Sequence, residues 1–317
     1  MNQPSEFQKR ISGEWHGYPS TFDRDGNHLG YNKVSRQSVF DPATGETTYL
    51  MHTDFHDLPS VEFHRLATPD GFRFAVRDGD RDRVYLGPDF YGSGQPNGGL
   101  VNSHYYSPFW ACELNTLNWV LDDGRTQVYS SLLYEGPTLR YVFNGLYRVA
   151  HDYPANPQTR AEIDAFCERE RINGPKPHVL PSKRCGVFGG AMHVYRADQA
   201  YLGQASVRIA YTPTSLLTAE QVVEIDAPAE VRLSGRYATN RARHTNRHTF
   251  HGPHLFGNGI AYGRALFTTQ HIAGQPIVIR GREFLLDEQY TLATVWMVHI
   301  SNRPAHVLFG LLNWMER

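Results

Sequence analysis

One eight-residue phrase occurs twice in this chain of 317 residues. GPDFYGSG begins at Gly87 and GPHLFGNG begins at Gly252, so the offset in the numbering is 252 − 87 = 165. Gly145 and Gly310, in the similar segments YVFNGLYR and AHVLFGLLNW, have the same offset, since 310 − 145 = 165. Self-similarity at a long fixed offset indicates a duplicated structural unit. The sequence therefore predicts two related units in tandem. The phrase itself is predicted to mark a structural corner, where glycine permits backbone geometry that other residues avoid.

Most segments in both halves have the pattern of β-strands. FRFAVRD and TQVYSSLLYEG in the first half, and QASVRIAYTP and YTLATVWMVHIS in the second, alternate apolar and polar residues or are rich in β-branched and aromatic ones. Turn signals such as DPATGE, TPDG and LDDGR separate them at hairpin intervals. Many short strands at this spacing indicate antiparallel barrels or sandwiches. Together with the repeat, they predict an all-β chain of two tandem antiparallel β-barrels.

Helical patterning is confined to two short stretches. The first, Ser5–Ser12, is predicted to begin at Ser5 as N-cap. The second is PQTRAEIDAFCERERING, for which we predict Thr159 as N-cap, Glu162 as its capping-box partner and Gly174 as its end. The residues at helical spacing, which predict its buried face, are Ile163, Phe166, Cys167 and Glu170.

The second helix lies in a stretch rich in proline and asparagine, which is typical of a domain boundary. We therefore expect an N-terminal barrel over 1–153, a helical linker over 154–180 and a C-terminal barrel over 181–317.

Charge and composition exclude several classes of partner. The chain has 31 Lys and Arg against 32 Asp and Glu and no basic stripe, so nucleic acid is not an expected partner. No apolar run approaches the roughly 18–20 residues of a membrane-spanning helix, and the first residues lack the apolar core of a secretion signal. Three cysteines without paired spacing do not indicate disulfides or a zinc site. We expect a cytoplasmic protein without a membrane span. The sequence does not decide between a monomer and a homodimer.

The segment GEWHG at 13–17 resembles the Gly-x-Trp opening of the lipocalin-like (calycin) superfamily, with Trp15 at the tryptophan position. GVFGG at 186–190 has Phe188 there, at an offset of 186 − 13 = 173. GEWHG is also similar to the opening of nitrobindin-like haem barrels. The tandem arrangement is similar to two-barrel lipocalin-like biosynthetic cyclases. These resemblances imply that Trp15 packs under the core at the closed end of the first barrel, with Phe188 in its place in the second, and that a barrel encloses a cavity for a small hydrophobic molecule.

The segment MHTDFHD is the first candidate site. Alternation in a strand places His52, Asp54 and His56 on one face and the intervening residues on the other. Such a face can present three metal ligands, supply an acid–base pair or orient a ligand. We predict His52 and Asp54 as catalytic and His56 as substrate-binding, with Glu62 and His64 nearby on a similar face. The alternative is the solvated outer face of a barrel.

The segment NSHYYSPFWACELNTLNW is the second candidate site. His104 and Glu113 are the leading acid and base, and Tyr106 is a candidate donor to a substrate carbonyl. Aromatic side chains with a few polar groups are typical of a small-molecule pocket. The predicted substrate-binding residues here are Tyr105, Trp110 and Trp119. The alternative is an aromatic core.

The segment RARHTNRHTFHGPH is rich in arginine and histidine, but its irregular spacing does not indicate a metal site. We predict that Arg243 and His248 bind substrate, because arginine can hold a carboxylate through two hydrogen bonds. A solvated loop is the alternative. In the last strands, Trp296 is a further predicted substrate-binding residue.

Two functions follow from these patterns. The favoured one is a cofactor-independent intracellular enzyme that acts on a small hydrophobic intermediate, aromatic, polyketide- or terpenoid-like. It would catalyse cyclisation, isomerisation or elimination with acid–base assistance in a barrel pocket. The alternative is a non-catalytic binder or carrier of such a molecule, with haem as a less favoured ligand. No cofactor fingerprint or nucleophile elbow is present, so no cofactor is expected.

Overall fold

A computed structural model of the chain describes residues 2–58, 70–79, 81–108 and 111–316. The chain divides into two compact units, Met1–Pro175 and Lys176–Arg317. Each unit is a closed antiparallel barrel of ten strands, so the predicted fold class of two tandem β-barrels is confirmed. The helix that lies between the barrels in the sequence belongs to the first unit.

The first barrel is a meander in which each strand pairs with the next along the chain. Its first strand is interrupted, because β1 and β2 both pair with β3 on one side and with β11 on the other. The strands are β1 (Gly13–Gly17), β2 (Ser20–Asp23), β3 (His28–Asp41), β4 (Glu46–His56), β5 (Phe72–Asp78), β6 (Arg83–Leu86), β7 (Tyr91–Asn97), β8 (Leu100–Ser107), β9 (Cys112–Val120), β10 (Thr126–Glu135) and β11 (Thr138–Ala150).

The second barrel repeats the meander with an uninterrupted first strand, which pairs with the last to close the barrel. The strands are β12 (Gly186–Arg196), β13 (Tyr201–Pro213), β14 (Thr218–Asp226), β15 (Gly235–His244), β16 (Arg247–His251), β17 (Leu255–Tyr262), β18 (Ala265–Ile272), β19 (Ile277–Leu285), β20 (Leu292–Ile300) and β21 (Arg303–Glu316).

The two helices match the predicted segments, with one correction. Helix α1 (Glu6–Ile11) begins at Ser5 as predicted, because the Ser5 hydroxyl accepts a hydrogen bond from the Gln8 amide. Helix α2 (Pro157–Asn173) ends at Gly174, as predicted. Its buried residues are the predicted four, Ile163, Phe166, Cys167 and Glu170.

The N-cap predicted for α2 is wrong, since Thr159 lies inside the helix. The cap is Asn156, whose side-chain oxygen accepts hydrogen bonds from the amides of Gln158 and Thr159. Pro157 follows at a position where the missing amide hydrogen costs no helical hydrogen bond. In the part of the chain that the structure describes, no helix has the length and apolar character needed to cross a bilayer.

The duplication is visible strand by strand. At the offset found in the sequence, β8 coincides with β18 and β9 with β19, end for end. The repeated phrase leads into β7 and β17, which are the sixth strands of their barrels. Earlier in each barrel the offset is larger, since β13 begins at 201 and β3 at 28, which gives 201 − 28 = 173. The change falls between the third and fourth strands, where the first barrel has residues 57–71 and the second has 227–234.

The repeated phrase has a structural role. A Cβ atom on Gly92 would collide with the backbone carbonyl oxygen of His104, and one on Gly257 would collide with that of Thr269. Because His104 and Thr269 are related by the same offset as the glycines, the same close approach of neighbouring strands occurs in each barrel. The pairing continues through these positions without a register shift, so close approach rather than a bulge explains the glycines.

Candidate functional site

The first barrel encloses a cavity of about 200 Å³. Half of its lining residues are apolar, mainly phenylalanine, and two are arginines. None of the described lining residues is a histidine, an aspartate or a glutamate. Five are tyrosines, namely Tyr49, Tyr85, Tyr105, Tyr129 and Tyr147. A cavity rich in apolar and aromatic side chains, with polar groups among them, is typical of a site for a small, largely apolar ligand.

Strand alternation decides which side chains face this cavity. Asn32, Val34 and Arg36 of β3 line it, and so do alternate residues of β4. Helix α1 covers one end, where Phe7 and Ile11 complete the lining.

A buried ion pair fastens α1 to the barrel. Arg83 is 1% exposed, and its Nη1 donates to Asp78 Oδ1 at 2.8 Å. Its Nη2 donates to Gln8 Oε1 at 2.6 Å and to the Tyr49 hydroxyl at 2.7 Å. The Ser5 hydroxyl that caps α1 donates to Asp78 as well. The charge of the Arg83 guanidinium is therefore balanced by Asp78 of the same barrel. Side chains of the protein close this end of the cavity, and no ligand is needed to balance the charge of Arg83 there.

Arg36 is the second cation in the lining, and it has no such partner. Its Nη2 donates to Gln127 Oε1 at 2.9 Å, and its guanidinium lies over the Trp15 and Tyr49 rings at 6.0 and 5.9 Å from their centroids. Within the described residues, no carboxylate lies within ion-pair distance of it. Its buried Nε also has no hydrogen-bond acceptor there. A ligand with an anionic or hydrogen-bond-accepting group would satisfy it.

The tyrosines add neutral donors. Burial raises the pKa of Tyr129 to about 12 and raises the pKa of Tyr105 and Tyr147 well above the usual value. The rings of Tyr129 and Tyr147 pack edge to face with their centroids 5.1 Å apart. The positive charge of Arg36 lowers the pKa of both hydroxyls and so opposes the larger effect of burial. At neutral pH these hydroxyls stay protonated, so they can donate hydrogen bonds to a ligand.

The predicted aromatic residues of this barrel have different places. Tyr105 lines the cavity as predicted. Trp119 is 5% exposed but is not among the lining residues. Trp110 lies outside the described residues, as do Glu62 and His64.

The predicted acid–base residues His104 and Glu113 lie close together, but on the solvent-exposed face of the barrel wall and not in the cavity lining. His104 Nε2 and Glu113 Oε2 lie 3.1 Å apart, with side chains 55% and 46% exposed. Tyr106 is 37% exposed and packs edge to face against Tyr91. None of these residues lines the cavity.

The His-x-Asp-x-His face shows the same arrangement. His56 Nε2 and Asp54 Oδ2 form a pair at 2.7 Å, and His52 shares their face of β4. The residues that alternate with them, Met51, Thr53 and Phe55, are the ones that line the cavity. The predicted separation of the two faces is therefore present, with the histidine face turned away from the lumen.

The polar groups of the cavity that the sequence did not single out are Arg36 and the lining tyrosines of β10 and β11, Tyr129 and Tyr147. Their signal was present in the alternation of β3, where Arg36 is in phase with the apolar Val34. A cation in phase with core residues indicates a polar group inside the barrel. This signal can be used only when it is known which face of β3 points into the barrel.

The interior of the second barrel is filled. One cluster of buried apolar residues extends through it from Leu180 to Leu312, and it includes Trp296 at 5% exposure. The predicted substrate-binding Trp296 is therefore part of a packed core. In the first barrel the buried apolar residues form separate smaller clusters.

Two differences between the copies contribute to the filling. Ser131 of β10 lies opposite Thr116 of β9, and the corresponding pair in the second barrel is Trp296 opposite Gly281. A Cβ atom on Gly281 would collide with the Thr268 hydroxyl and would lie 3.5 Å from the Trp296 ring, so the indole packs beside a position without a side chain. Likewise Arg36 lies opposite Trp15, whereas Ile209 lies opposite Phe188. The second barrel thus has apolar bulk where the first has small or polar groups.

The other two predicted binding residues of the second barrel do come together. Arg243 and His248 line a small cavity of about 30 Å³ with Arg241 and His178. Burial, reinforced by the charge of Arg241, lowers the pKa of His248 to about 2. Among the described residues, no group of three or more potential metal ligands is present.

No protein-family model and no curated protein matches the sequence. Among solved structures, the chain is similar to a protein of unknown function from the DUF3598 family of Nostoc punctiforme. The two share 10% identity with a TM-score of 0.61, and the alignment covers 100% of each chain. At this identity the likeness shows the two-barrel fold alone. A Rhodopseudomonas blastica porin aligns over 96% of this chain and 98% of its own at 6% identity, but its TM-score of 0.16 gives it no weight.

Proposed function

We propose that the first barrel binds one small, largely apolar molecule whose acidic or carbonyl group is held by Arg36. The supporting observation is that this partly buried guanidinium, whose Nε is fully buried without an acceptor, has no described carboxylate partner in a cavity rich in aromatic side chains. A charge withdrawn from water without a partner costs free energy. The fold does not require it, because the second barrel closes with Ile209 at the corresponding position.

The chemistry of the lining defines the class of ligand. The phenylalanine and tyrosine rings favour an aromatic or polyunsaturated body, and polyketide- or terpenoid-like molecules fit this description. A carboxylate would accept two hydrogen bonds from the guanidinium, and tyrosine hydroxyls would donate to further oxygens. Acidic hydrophobic molecules should therefore bind better than their neutral analogues.

A second function, catalysis without a cofactor, is favoured by the position of Tyr129 and Tyr147 next to Arg36. A neutral tyrosine beside a cation can protonate or polarise a carbonyl while the cavity holds the substrate folded. Cyclisation, isomerisation or elimination would suit these groups. In this scheme the tyrosines supply the acid. His104, Glu113, Tyr106, His52 and Asp54 remain predictions of the sequence, outside the cavity lining.

The binding proposal is tested with a panel of aromatic and terpenoid carboxylic acids and their methyl esters, by isothermal titration calorimetry. Arg36→Met should weaken binding of the acids at least tenfold, about 1.4 kcal/mol, and leave the esters almost unchanged. Arg73→Met is the matched control, since Arg73 is exposed on β5. If no acid binds, or if Arg36→Met binds acids as tightly as the unmodified protein, the proposal is wrong.

Catalysis is tested on the acids that bind. Mass spectrometry and chromatography of the recovered compounds should reveal an isomer or an elimination product with the unmodified protein. Tyr129→Phe should bind the same compound with little loss but convert it far more slowly. Recovery of every bound compound unchanged would leave the first barrel as a binder.

A further inference from the structure

The second barrel has a modified copy of the ion pair that closes the first. In the first barrel Asp78 pairs with Arg83 across β5 and β6. The corresponding pair, at the offset of the repeat, is Arg243 opposite His248 across β15 and β16. At the position of Asp78 the second barrel has Arg243, and at the position of Arg83 it has His248, so this pair contains no carboxylate. Arg241, two positions before Arg243, also points into this end of the barrel.

The hydrogen bonds of this cluster leave two donors without acceptors. Arg241 Nε lies 3.3 Å from His248 Nδ1, and because an arginine nitrogen can only donate, Nδ1 must accept. The ring proton of His248 therefore sits on Nε2. Both His248 Nε2 and Arg241 Nη2 are buried, and neither has a hydrogen-bond partner among the described residues. His248 is 2% exposed and Arg241 6% exposed.

One carboxylate, that of Glu283, lies nearby, but it does not accept a hydrogen bond from either of these two donors. Glu283 Oε2 is 3.8 Å from Arg241 Nη1 and 3.5 Å from His178 Nε2, while His178 Nδ1 donates to the carbonyl of Arg264 at 2.9 Å. Glu283 offsets one positive charge from outside the cavity lining. No ion pair of Arg243 occurs within the described ranges. The cluster therefore keeps a net positive charge and two unused donors.

The shape of the cavity limits what can reach them. Its volume of about 30 Å³ is roughly the share of one water molecule in the liquid, so only a small head group can enter. Leu216 and Leu217, 70% and 49% exposed, contribute to its lining at the turn before β14. An exposed apolar pair beside buried cationic donors suits a molecule with an anionic head and an apolar tail.

We infer that this end of the second barrel binds the carboxylate of a small amphiphilic acid. The ligand carboxylate accepts from Arg241 Nη2 and His248 Nε2 and lies against Arg243. Its apolar chain contacts Leu216 and Leu217. The ligand thereby supplies the carboxylate that Asp78 supplies in the first barrel. The site is separate from the first cavity and does not depend on its proposed function.

The test uses hexanoate as the probe and the Arg36→Met protein as the host, so that the only cation left in the described lining of the first cavity is Arg83, which is paired with Asp78. Binding is followed by the ring-nitrogen resonances of ¹⁵N-labelled histidine, which report on His248 directly. We expect a saturable shift of His248, with hexanoate at least fivefold tighter than acetate and hexanamide inactive. If the cavity holds a trapped water only, hexanoate leaves the His248 resonances unmoved, and the inference is wrong.

Three variants make the test specific. Arg243→Asp restores the carboxylate of the first barrel, so it should abolish hexanoate binding without lowering the unfolding midpoint. Arg232→Asp makes the same charge change at an exposed position and should leave binding within twofold. Leu216→Ser with Leu217→Ser should reduce hexanoate binding to the level of acetate. Undiminished binding in Arg243→Asp, or in the leucine variant if the former does not fold, would overturn the inference.

Discussion

The two barrels have the same strands in the same order, and from the fourth strand onward they match at one constant offset. Their interiors nevertheless differ, since the first encloses a cavity and the second is packed. The difference is concentrated at facing pairs such as Thr116 with Ser131 and Gly281 with Trp296. The wall of such a barrel therefore determines the fold, while a few inward side chains determine whether the barrel can hold a ligand.

The comparison also separates a polar group with a structural role, Arg83, from one without such a role, Arg36. Arg83 is buried with Asp78 and hydrogen-bonded by α1, so it closes one end of the first barrel. Arg36 has no comparable role, and the second barrel folds with Ile209 in its place. Because Arg36 is partly buried and has no described ion-pair partner, we propose that it is retained for a ligand.

The largest effect is expected from opening the filled barrel. Trp296→Ala removes a large side chain from a close-packed core and should lower the free energy of unfolding by about 3–5 kcal/mol. Phe74→Ala in the first barrel should cost less, about 1–2 kcal/mol, because that ring already borders empty space. Urea denaturation measures both. Equal losses in the two variants would contradict the contrast between a filled and a hollow interior.

Removing the internal carboxylate of the first barrel should have a nearly equal effect. Asp78→Asn leaves the buried Arg83 without its counter-charge, which should lower the free energy of unfolding by about 3 kcal/mol. Protection of α1 amides against hydrogen exchange should fall at the same time, because Ser5 and Gln8 lose part of their network. A stability loss below about 1 kcal/mol would show that this end is closed by other contacts.

The repeated phrase should tolerate substitution equally poorly in both copies. Gly92→Ala and Gly257→Ala each place a methyl group against a neighbouring carbonyl oxygen, which should cost about 1–3 kcal/mol. Gly189→Ala is the control, since its added methyl meets the flexible end of Met315. A neutral Gly92→Ala with a costly Gly257→Ala would mean that the phrase no longer has the same role in both barrels.

Acid should act on the second barrel through His248. Burial keeps this imidazole neutral, with a folded pKa of about 2, whereas the unfolded value is near 6.5. The unfolded chain therefore binds more protons below pH 6.5, and stability falls as the pH decreases from there. The contribution is up to about 1.4 kcal/mol per pH unit. His248→Asn should remove this part of the slope between pH 6 and 4, and exposed His251→Gln should not. An unchanged slope in His248→Asn would contradict the buried, neutral imidazole.

Much of the fold could be predicted from the sequence because its signals are local. The repeat, the strand alternation and the buried face of α2 depend on residues that are close in the chain or at a fixed offset. The side of each strand that faces inward could not be predicted, because alternation defines two faces without saying which one is inside. His52, Asp54 and His56 were grouped correctly on one face, yet Met51, Thr53 and Phe55 line the cavity.

The contrast between a hollow and a filled interior was also beyond local patterns. It depends on residues that face each other only after strands pair, as Ser131 and Thr116 do. The same holds for Arg36, whose place over Trp15 follows from the pairing of β1 with β3. A single sequence contains these residues but not the distances between them.

The proposal that the first barrel holds a ligand in its interior rests on the unfilled interior of that barrel. It is tested most directly by transferring the filling of the second barrel to the first. Ser131→Trp with Thr116→Gly should leave the unfolding midpoint unchanged or higher. Native mass spectrometry with the best-binding acid is run in an Arg243→Asp background, which removes the second cationic site, and should show a 1:1 complex without the two filling substitutions and none with them. A folded variant that retains the acid as well as the unmodified protein would contradict the claim.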